Sequence, residues 1–306
     1  MKANFKGFYF NTNIILIDDN DSFLNTLDYR LSEKFAITTY NEPQVALDYL
    51  LSESNTNSMF NTMDFVVESH NEEDDSTSFA INFAKFIDFN NIINKKNLTS
   101  VLIIDYSMPK MNGVDFCEKI NHLPIMKIML TGHADFKIAV DAFNRGVIDK
   151  FLVKDTPDML DEIVASIEEM QEQYFIKHSS ILRSFLPHSC LEILRSAEYE
   201  YHLEKLIEEY SIVEYYLLDN EGTYALTSCD GTKYYFKAIP DLKINELLEL
   251  AIDLGAYSHI INKLKHKTHF PVFLSESDYK LPVNDWEQIM RKTQKKDGYY
   301  YIFEKS

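Results

Sequence analysis

Several short apolar segments of the sequence end on side chains that could do chemistry. They are NIILI, VLII, IML and FLV, which run into Asp18–Asp19, Asp105, Thr131 and Lys154, respectively. Three carboxylates in one crevice would repel one another and take up protons unless a cation is present. Hard oxygen ligands select Mg²⁺ or Mn²⁺, while an ammonium and a hydroxyl group could hold phosphate oxygens. The set suits an aspartate that accepts a phosphoryl group in line, with metal and lysine neutralising the developing charge.

Alternating strands and helices would bring these side chains to one edge of a sheet. The pattern predicts strands over 13–19, 36–40, 101–105, 126–131 and 150–154, and helices over 21–34, 43–51, 114–121, 136–144 and onward from Pro157. Five such units predict an α/β fold, a doubly wound five-stranded parallel sheet of flavodoxin-like type. Because the run VLII has no alternation, we expect its strand to be covered on both faces. Function in such a sheet gathers beyond the carboxyl ends of the strands.

An insertion of about 52–99 interrupts this alternation. Its first part is rich in Asn, Ser and Thr, and it contains the acidic run NEEDDS at 71–76. This composition buries little surface and favours a flexible loop. The second part, 79–93, is apolar and aromatic, so we expect an extra helix that covers the domain; a dimer or partner surface is the alternative.

The pattern changes beyond about residue 179. A helical stretch over 191–210 precedes three aromatic strand-like segments that are separated by the turns DNEG and CDGT. Such segments predict an antiparallel meander. Further helices are expected over 244–254 and 259–264, and a late strand over 298–303. We therefore predict two domains: 12–178, and a C-terminal α+β domain over 179–306.

Size and charge narrow the class of protein. The 306 residues suit about two domains, and the formal net charge of −18 argues against nucleic-acid binding through bulk electrostatics. The sequence contains no uncharged apolar run of about 18 residues, so no membrane span is predicted. Its first residues lack the pattern of a signal peptide. The three cysteines lie far apart, as expected of thiols in a reducing cytoplasm.

Four motifs in this order, DD, DxxMPxMNG, LTGHAD and FLVK, resemble the receiver domain of two-component response regulators over about 12–178. The resemblance implies that Asp105 is the phospho-acceptor. It also implies a Mg²⁺ (or Mn²⁺) site formed by Asp18, Asp19, Asp105 and the backbone carbonyl of Ser107. The remaining matched positions, Thr131, Lys154 and Phe151, would respond to phosphorylation.

The resemblance also implies partners. A sensor histidine kinase or a phosphotransfer protein would supply the phosphoryl group, and the response would be homodimerisation or binding of an unknown output target. The protein would then be a signalling switch and not an enzyme beyond its own phosphorylation and slow dephosphorylation. Two features depart from the family pattern: the insertion, and Asp155 in place of the proline that often follows the lysine.

Two other classes are weighed against this interpretation. A DNA-binding regulator would use the C-terminal half, where KLKHKTH (263–269) and RKTQKK (291–296) are basic, although solvated helix faces explain such stretches more simply. That half has 15 Lys and Arg against 20 Asp and Glu over 181–306, a balance of −5. An aspartate-nucleophile phosphatase of the dehalogenase type needs a second carboxylate two residues after Asp105, where this chain has Ser107. His122 and His133 are expected in loops near the rim of the crevice.

Overall fold

The structure is a computed structural model that describes residues 6–52, 62–71, 76–92, 95–132, 135–154, 156–273, 276–296 and 299–305. The chain forms two compact units. The N-terminal unit consists of Phe10–Val67 and Ala84–Leu182. The C-terminal unit consists of Arg183–Ser306 together with Glu68–Phe83 and the described residues up to Tyr9. Its principal boundary lies a few residues beyond the predicted one, and the two additional segments were not predicted.

The N-terminal unit contains the predicted parallel sheet. Numbered along the whole chain, its strands are β2 (Asn13–Ile17), β3 (Ala36–Tyr40), β6 (Thr99–Asp105), β7 (Met126–Thr131) and β8 (Lys150–Val153). They pair in the order β3-β2-β6-β7-β8, and every pair is parallel. This order confirms the predicted flavodoxin-like fold, in which the chain reverses its direction of growth between β2 and β6. All residues of β2 and β6 are buried, as expected for central strands.

Helices cover both faces of this sheet. They are α1 (Asp21–Leu31), α2 (Pro43–Leu51), α4 (Gly113–Lys119), α5 (Phe136–Asn144) and α6 (Met159–Arg183), while α3 (Phe83–Ile92) belongs to the insertion. Pro43 occupies the first turn of α2, where its missing N–H costs no hydrogen bond. The 25-residue helix α6 buries its apolar stripe, which includes Ile163, Ile167 and Met170. Among the described helices, none is both long and apolar enough to cross a bilayer.

The described part of the insertion is more regular than expected. A 3₁₀ turn over Thr62–Phe65 leads into two antiparallel strands, β4 (Val66–Asn71) and β5 (Ser76–Ile81). The helix predicted over 79–93 therefore begins only at Phe83, because the preceding residues form β5. Buried Phe86 of α3 meets Phe65 edge to face, with ring centroids 5.1 Å apart, so this helix packs on the 3₁₀ turn of the insertion itself, and its predicted cover of the domain stays a prediction. Residues 53–61 and 72–75, which include most of the acidic run, lie outside the described residues.

The C-terminal unit is an α+β domain built on an antiparallel sheet, as predicted. The strands are β1 (Phe8–Tyr9), β9 (Ile212–Leu217), β10 (Thr223–Ser228), β11 (Lys233–Ile239), β14 (Gln294–Lys296) and β15 (Tyr299–Lys305). They pair in the order β1-β9-β10-β11-β15-β14. The predicted late strand, β15, therefore rejoins the sheet beside β11. Two shorter strands, β12 (His269–Pro271) and β13 (Met290–Lys292), form a separate ladder.

Within the residues that the structure describes, α-helices complete the C-terminal unit. They are α7 (His188–Leu194), α8 (Ala197–Glu209), α9 (Asp241–Asp253), α10 (Ser258–Lys265) and α11 (Glu276–Tyr279). The single helical stretch predicted over 191–210 is thus two helices. Ser196 separates them, because its side chain accepts the backbone N–H of Tyr199 and starts α8. A second core lies around Ile244, Ile260 and Trp286.

Candidate functional site

The acid pair follows β2 directly. Asp18 is only 2% exposed, and its Oδ1 accepts the backbone N–H of Asn20 at 2.9 Å. Asn20 in turn caps α1 by accepting the backbone N–H of Phe23. This tight strand-to-helix turn holds the buried Asp18 at the carboxyl end of the sheet and leaves Asp19 exposed to solvent.

Lys154 joins two of the predicted site carboxylates. Its Nζ lies 2.6 Å from Asp18 Oδ2 and 2.9 Å from Asp105 Oδ1. Burial alone would lower the pKa of Lys154, but hydrogen bonds to Asp18 and Asp105 hold it above its ordinary value. Burial raises the pKa of Asp105; the hydrogen bond from Lys154 opposes this, and the charges of Asp18 and Asp19 add to it. The site therefore disfavours the ionised form of Asp105, the acid that the sequence predicts to be the nucleophile.

The three carboxylates fit a small hard cation. One oxygen from each of Asp18, Asp19 and Asp105 lies within 4.8 Å of the other two. Lys154 neutralises part of this charge, and Asp19 forms no ion pair within the described part of the chain. An exposed carboxylate beside two buried ones suits Mg²⁺, which keeps several of its waters when it binds protein oxygens.

The other predicted residues surround this cluster. Ser107 is exposed in the loop after β6. Thr131, the last residue of β7, is fully buried, and its hydroxyl donates to the carbonyl of Gly132 at 3.1 Å. Phe151 is half-buried on β8 and meets Phe136 and Phe143 of α5 edge to face, at 5.4 and 6.2 Å. The predicted residues therefore lie on, or just after, strands that end at one edge of the sheet.

Phe23, at the start of α1, is a site residue that was not predicted from the sequence. The structure buries Leu24, Leu27 and Leu31 but leaves Phe23 half-buried. Its ring instead lies under the ammonium of Lys154, whose Nζ is 4.8 Å from the ring centroid. This cation–π contact helps to hold the lysine over the carboxylates. Only its position one turn after the acid pair could have suggested this role.

Gly113 has a steric role that the sequence did not reveal. The sequence suggests only a turn former in MNG, but Gly113 begins α4 and donates its N–H to the carbonyl of Tyr106 at 2.9 Å. A Cβ atom at this position would lie 2.5 Å from the backbone carbonyl oxygen of Asp105. The α4 backbone thus packs directly on the peptide group of Asp105, which fixes the loop after β6.

We expect Gly113→Ala to lower the free energy of unfolding by about 2 kcal/mol, because the Asp105 backbone must move to admit a methyl group. Chemical denaturation measures this change. Gly132→Ala is the matched control, since its Cβ would meet no atom within 4 Å. Equal stability of the two variants would show that the close approach at Gly113 imposes no constraint.

Of the two histidines expected near the rim, only His122 lies within the described residues. His122 is exposed in the loop before β7, at the amino end of that strand, whereas Asp105 stands at the carboxyl end of β6. Loops that enter parallel strands lie at the edge opposite to those that leave them, so the prediction for His122 was wrong. His133 and Asp155 lie outside the described residues.

Carboxylates neutralise several of the basic side chains in the Lys-rich stretches. Lys263 pairs with Glu287, and Lys267 with Asp241, both at 2.6 Å, while Arg291 pairs with Glu304 at 2.7 Å. The second stretch lies on β13 and β14 and not on a helix as predicted. Paired cations offer little free charge to a phosphate backbone, which favours the interpretation of solvated surfaces.

Comparison with known proteins identifies the domain that carries this site. Residues 72–168 match the family model of the response regulator receiver domain. Nodulation protein W of Bradyrhizobium diazoefficiens is 37% identical over 78 residues, which are 24% of this chain and 33% of that protein. The transcriptional regulatory protein FixJ of Rhizobium meliloti is 36% identical over 74 residues, 24% of this chain and 35% of that protein. The chain thus spans about a third of the length of these curated relatives.

One solved structure resembles the whole chain. The Legionella pneumophila response regulator LqsR is 25% identical, with a TM-score of 0.75, over 100% of this chain and 91% of that one. The family match begins only after the acid pair, because the insertion separates β2 and β3 from the rest of the sheet. The fold nevertheless places Asp18 and Asp19 beside Asp105. The chain therefore carries the receiver domain of a two-component response regulator, joined to an antiparallel C-terminal unit.

Proposed function

We propose that the protein is a phosphorylation-dependent switch whose Asp105 accepts a phosphoryl group. The observation that carries this proposal is the convergence of Asp18, Asp19 and Asp105, with Lys154 bridging two of them, at the carboxyl edge of the sheet. Asp105 is only 5% exposed, so the rigid end of β6 holds the nucleophile while the exposed Asp19 side leaves it reachable.

The proposed transfer uses the residues in distinct roles. An oxygen of Asp105 attacks phosphorus, and the bond to the donor's leaving atom breaks, so that the electron pair departs with the donor and an acyl phosphate forms. Asp18, Asp19, Asp105 and the carbonyl of Ser107 would hold Mg²⁺, which neutralises charge on the phosphoryl oxygens. Lys154, already within hydrogen-bonding distance of Asp105, would pair with the new phosphate.

We propose that the donor is a sensor histidine kinase or a phosphotransfer protein and that the switch acts in the cytoplasm. All three cysteines are free thiols, as expected in a reducing compartment. Beyond accepting and slowly losing its phosphate, the protein would catalyse no reaction of its own.

The proposed response passes through Thr131 and Phe151. The Thr131 hydroxyl, which donates a hydrogen bond to the carbonyl of Gly132 in this structure, would turn toward the phosphate. Phe151 would then repack against α5, whose Phe136 and Phe143 are 45% and 48% exposed. Such an exposed aromatic face suits homodimerisation or partner binding. The apolar stripe of α6 is buried within the protomer, so the proposed interface lies on α5.

Incubation with acetyl phosphate and Mg²⁺, followed by intact mass spectrometry, tests the proposal. We expect one phosphoryl group per chain, and none when a chelator removes the metal. Sedimentation of the same samples should show a larger species only after phosphorylation. A chain that stays unmodified with both reagents present would contradict the assignment of Asp105 as phospho-acceptor, whereas unchanged sedimentation would remove only the dimer.

A further inference from the structure

The C-terminal unit contains a cavity of about 580 Å³ that is lined by residues of this unit alone. Its walls come from α7, the first turn of α8, the turn between β9 and β10, the end of β11 and the start of α9. Apolar side chains form most of the wall, including Ile193, Ile239, Leu242 and Phe270. Leu242 is 70% exposed although it lines this space, so a molecule in the cavity would cover it. Pockets of this size and mainly apolar lining typically hold small organic molecules.

A buried ammonium stands beneath the cavity. Lys237 is 3% exposed, and its Nζ lies 2.7 Å from Glu221 Oε2 and 3.0 Å from the Thr223 hydroxyl. Lys243 contacts the other oxygen of Glu221 at 3.2 Å. Although burial alone would raise the pKa of Glu221, these two lysines hold it below its ordinary value. Lys237 also lies 3.5 Å from Asp219 Oδ2, and Lys243 lies 3.9 Å from Glu246 Oε2, so carboxylates already compensate both cations of the lining.

The turn itself does not require this buried pair. Asp219 closes it through the backbone, because its carboxylate accepts the N–H groups of Glu221 at 2.8 Å and of Thr223 at 3.0 Å, while Lys237 Nζ lies farther away, 3.5 Å from Asp219 Oδ2. A well-packed apolar residue in place of a buried ion pair is often as stable or more so. The ion pair of Lys237 with Glu221 is therefore not explained by closure of the hairpin alone. Its contacts support a different role, which is to hold the carboxylate of Glu221 in a fixed position at the cavity.

The charge of the lining selects the class of ligand. Four glutamates line the cavity, Glu192, Glu198, Glu221 and Glu246, against the two lysines, which leaves an excess of two negative charges. Three of these glutamates are exposed at the mouth, and Glu198 forms no ion pair within the described residues. An anion entering here would meet uncompensated carboxylates, whereas a cation would be attracted.

A thiol lies in the wall of the cavity but is a poor nucleophile for covalent capture. Cys190 lines it, but burial raises the pKa of this thiol to about 12, so the reactive thiolate is scarce at neutral pH. The interaction is therefore reversible binding.

We propose that this cavity binds a small organic cation, an apolar ring or chain that carries a protonated amine, with the apolar body against Ile239, Leu242 and Phe270 and the amine among the glutamates at the mouth. The receiver domain would then share the chain with a second, chemical input. This inference does not depend on phosphorylation of Asp105 and extends beyond it.

Three probes that share an indole ring test the proposal: tryptamine, tryptophol and indole-3-acetate, which are cationic, neutral and anionic at neutral pH. Isothermal titration of the full chain at low ionic strength should give the lowest Kd for tryptamine and one about tenfold higher for indole-3-acetate, with tryptophol between them. Tightest binding of the anion, or no heat from any of the three, would overturn the proposal.

Because the whole chain is acidic, a matched pair of variants separates the cavity from the general surface. Leu242→Lys adds a positive charge on the cavity wall, and Ile252→Lys adds the same charge elsewhere on α9, at a side chain that is 52% exposed and does not line the cavity. We expect Leu242→Lys to weaken tryptamine binding about fivefold or more, and Ile252→Lys to change it less than twofold. Equal losses in the two variants would place the amine on the acidic surface and refute the site.

Discussion

Asp105→Asn is expected to abolish phosphorylation by acetyl phosphate, with a loss on the order of 100-fold or more in the rate of adduct formation. The amide keeps the size of the side chain but offers no carboxylate oxygen to attack phosphorus. It also removes one of the three acids that would hold Mg²⁺. Intact mass spectrometry over a time course measures the effect. Asp48→Asn is the control, since Asp48 is an exposed acid on α2 whose carboxylate accepts only from Gln44 in the same helix.

The same variant should be more stable than the wild type in metal-free buffer. The folded pKa of Asp105 lies above its ordinary value of 3.8, so the folded state binds the proton more tightly than the unfolded state does. Stability is therefore lost as pH rises from the ordinary value through the folded one. Asn carries no charge to disfavour, so its Tm should rise, whereas Asp48→Asn should leave Tm unchanged. Undiminished phosphorylation of Asp105→Asn would place the acceptor elsewhere.

The parallel half of the protein could be predicted closely because its signals are local. Strand β7 (Met126–Thr131) and helix α5 (Phe136–Asn144) have the same bounds in the structure as in the prediction. Each apolar run there stops at residues that break its pattern. The site followed from one rule, that parallel strands present their carboxyl ends at a shared edge, which brought Asp18 and Asp105 together across the insertion.

Local sequence patterns could not predict which strands pair across long sequence distances or how individual side chains are oriented. Strand β1, Phe8–Tyr9, is short, and its partners Tyr215 and Tyr216 stand far from it in the sequence, so no local pattern indicates it. The contact of Phe23 with Lys154 depends on how one ring turns at the start of α1. The buried Lys237 was equally unpredictable, because its neighbours on β11 read as an ordinary strand in which a lysine would face solvent.

We expect Lys154→Met to lower the free energy of unfolding by about 2 kcal/mol in metal-free buffer. Removing one partner of a buried ion pair costs about 3–5 kcal/mol, and the partial exposure of Lys154, 23%, reduces that figure. The loss arises because Asp18 and Asp105, whose side chains are 3% and 7% exposed, would be left as neighbouring carboxylates with no ammonium between them. Chemical denaturation measures the change.

Lys150→Met provides a matched control on the same strand. Lys150 pairs with Glu169 at 2.5 Å, but both side chains are accessible, at 30% and 53%. Pairs of this kind contribute about 0–1 kcal/mol. A loss in Lys150→Met as large as in Lys154→Met would mean that any lysine on β8 supports the fold to the same degree, which would contradict a special role for the bridge.

Magnesium gives the same variant a second and more specific readout. A cation that binds only the folded state raises stability by RT ln(1 + [Mg²⁺]/Kd), and in the wild type Lys154 competes for two of the three carboxylates. Without the ammonium, those oxygens are left to the metal, so a few millimolar Mg²⁺ should raise the Tm of Lys154→Met more than that of the wild type or of Lys150→Met. Equal increases in all three proteins would show that lysine and metal do not share the carboxylates. A selective increase would identify Lys154 as the group that neutralises the acceptor site until Mg²⁺ and a phosphoryl group take over its partners.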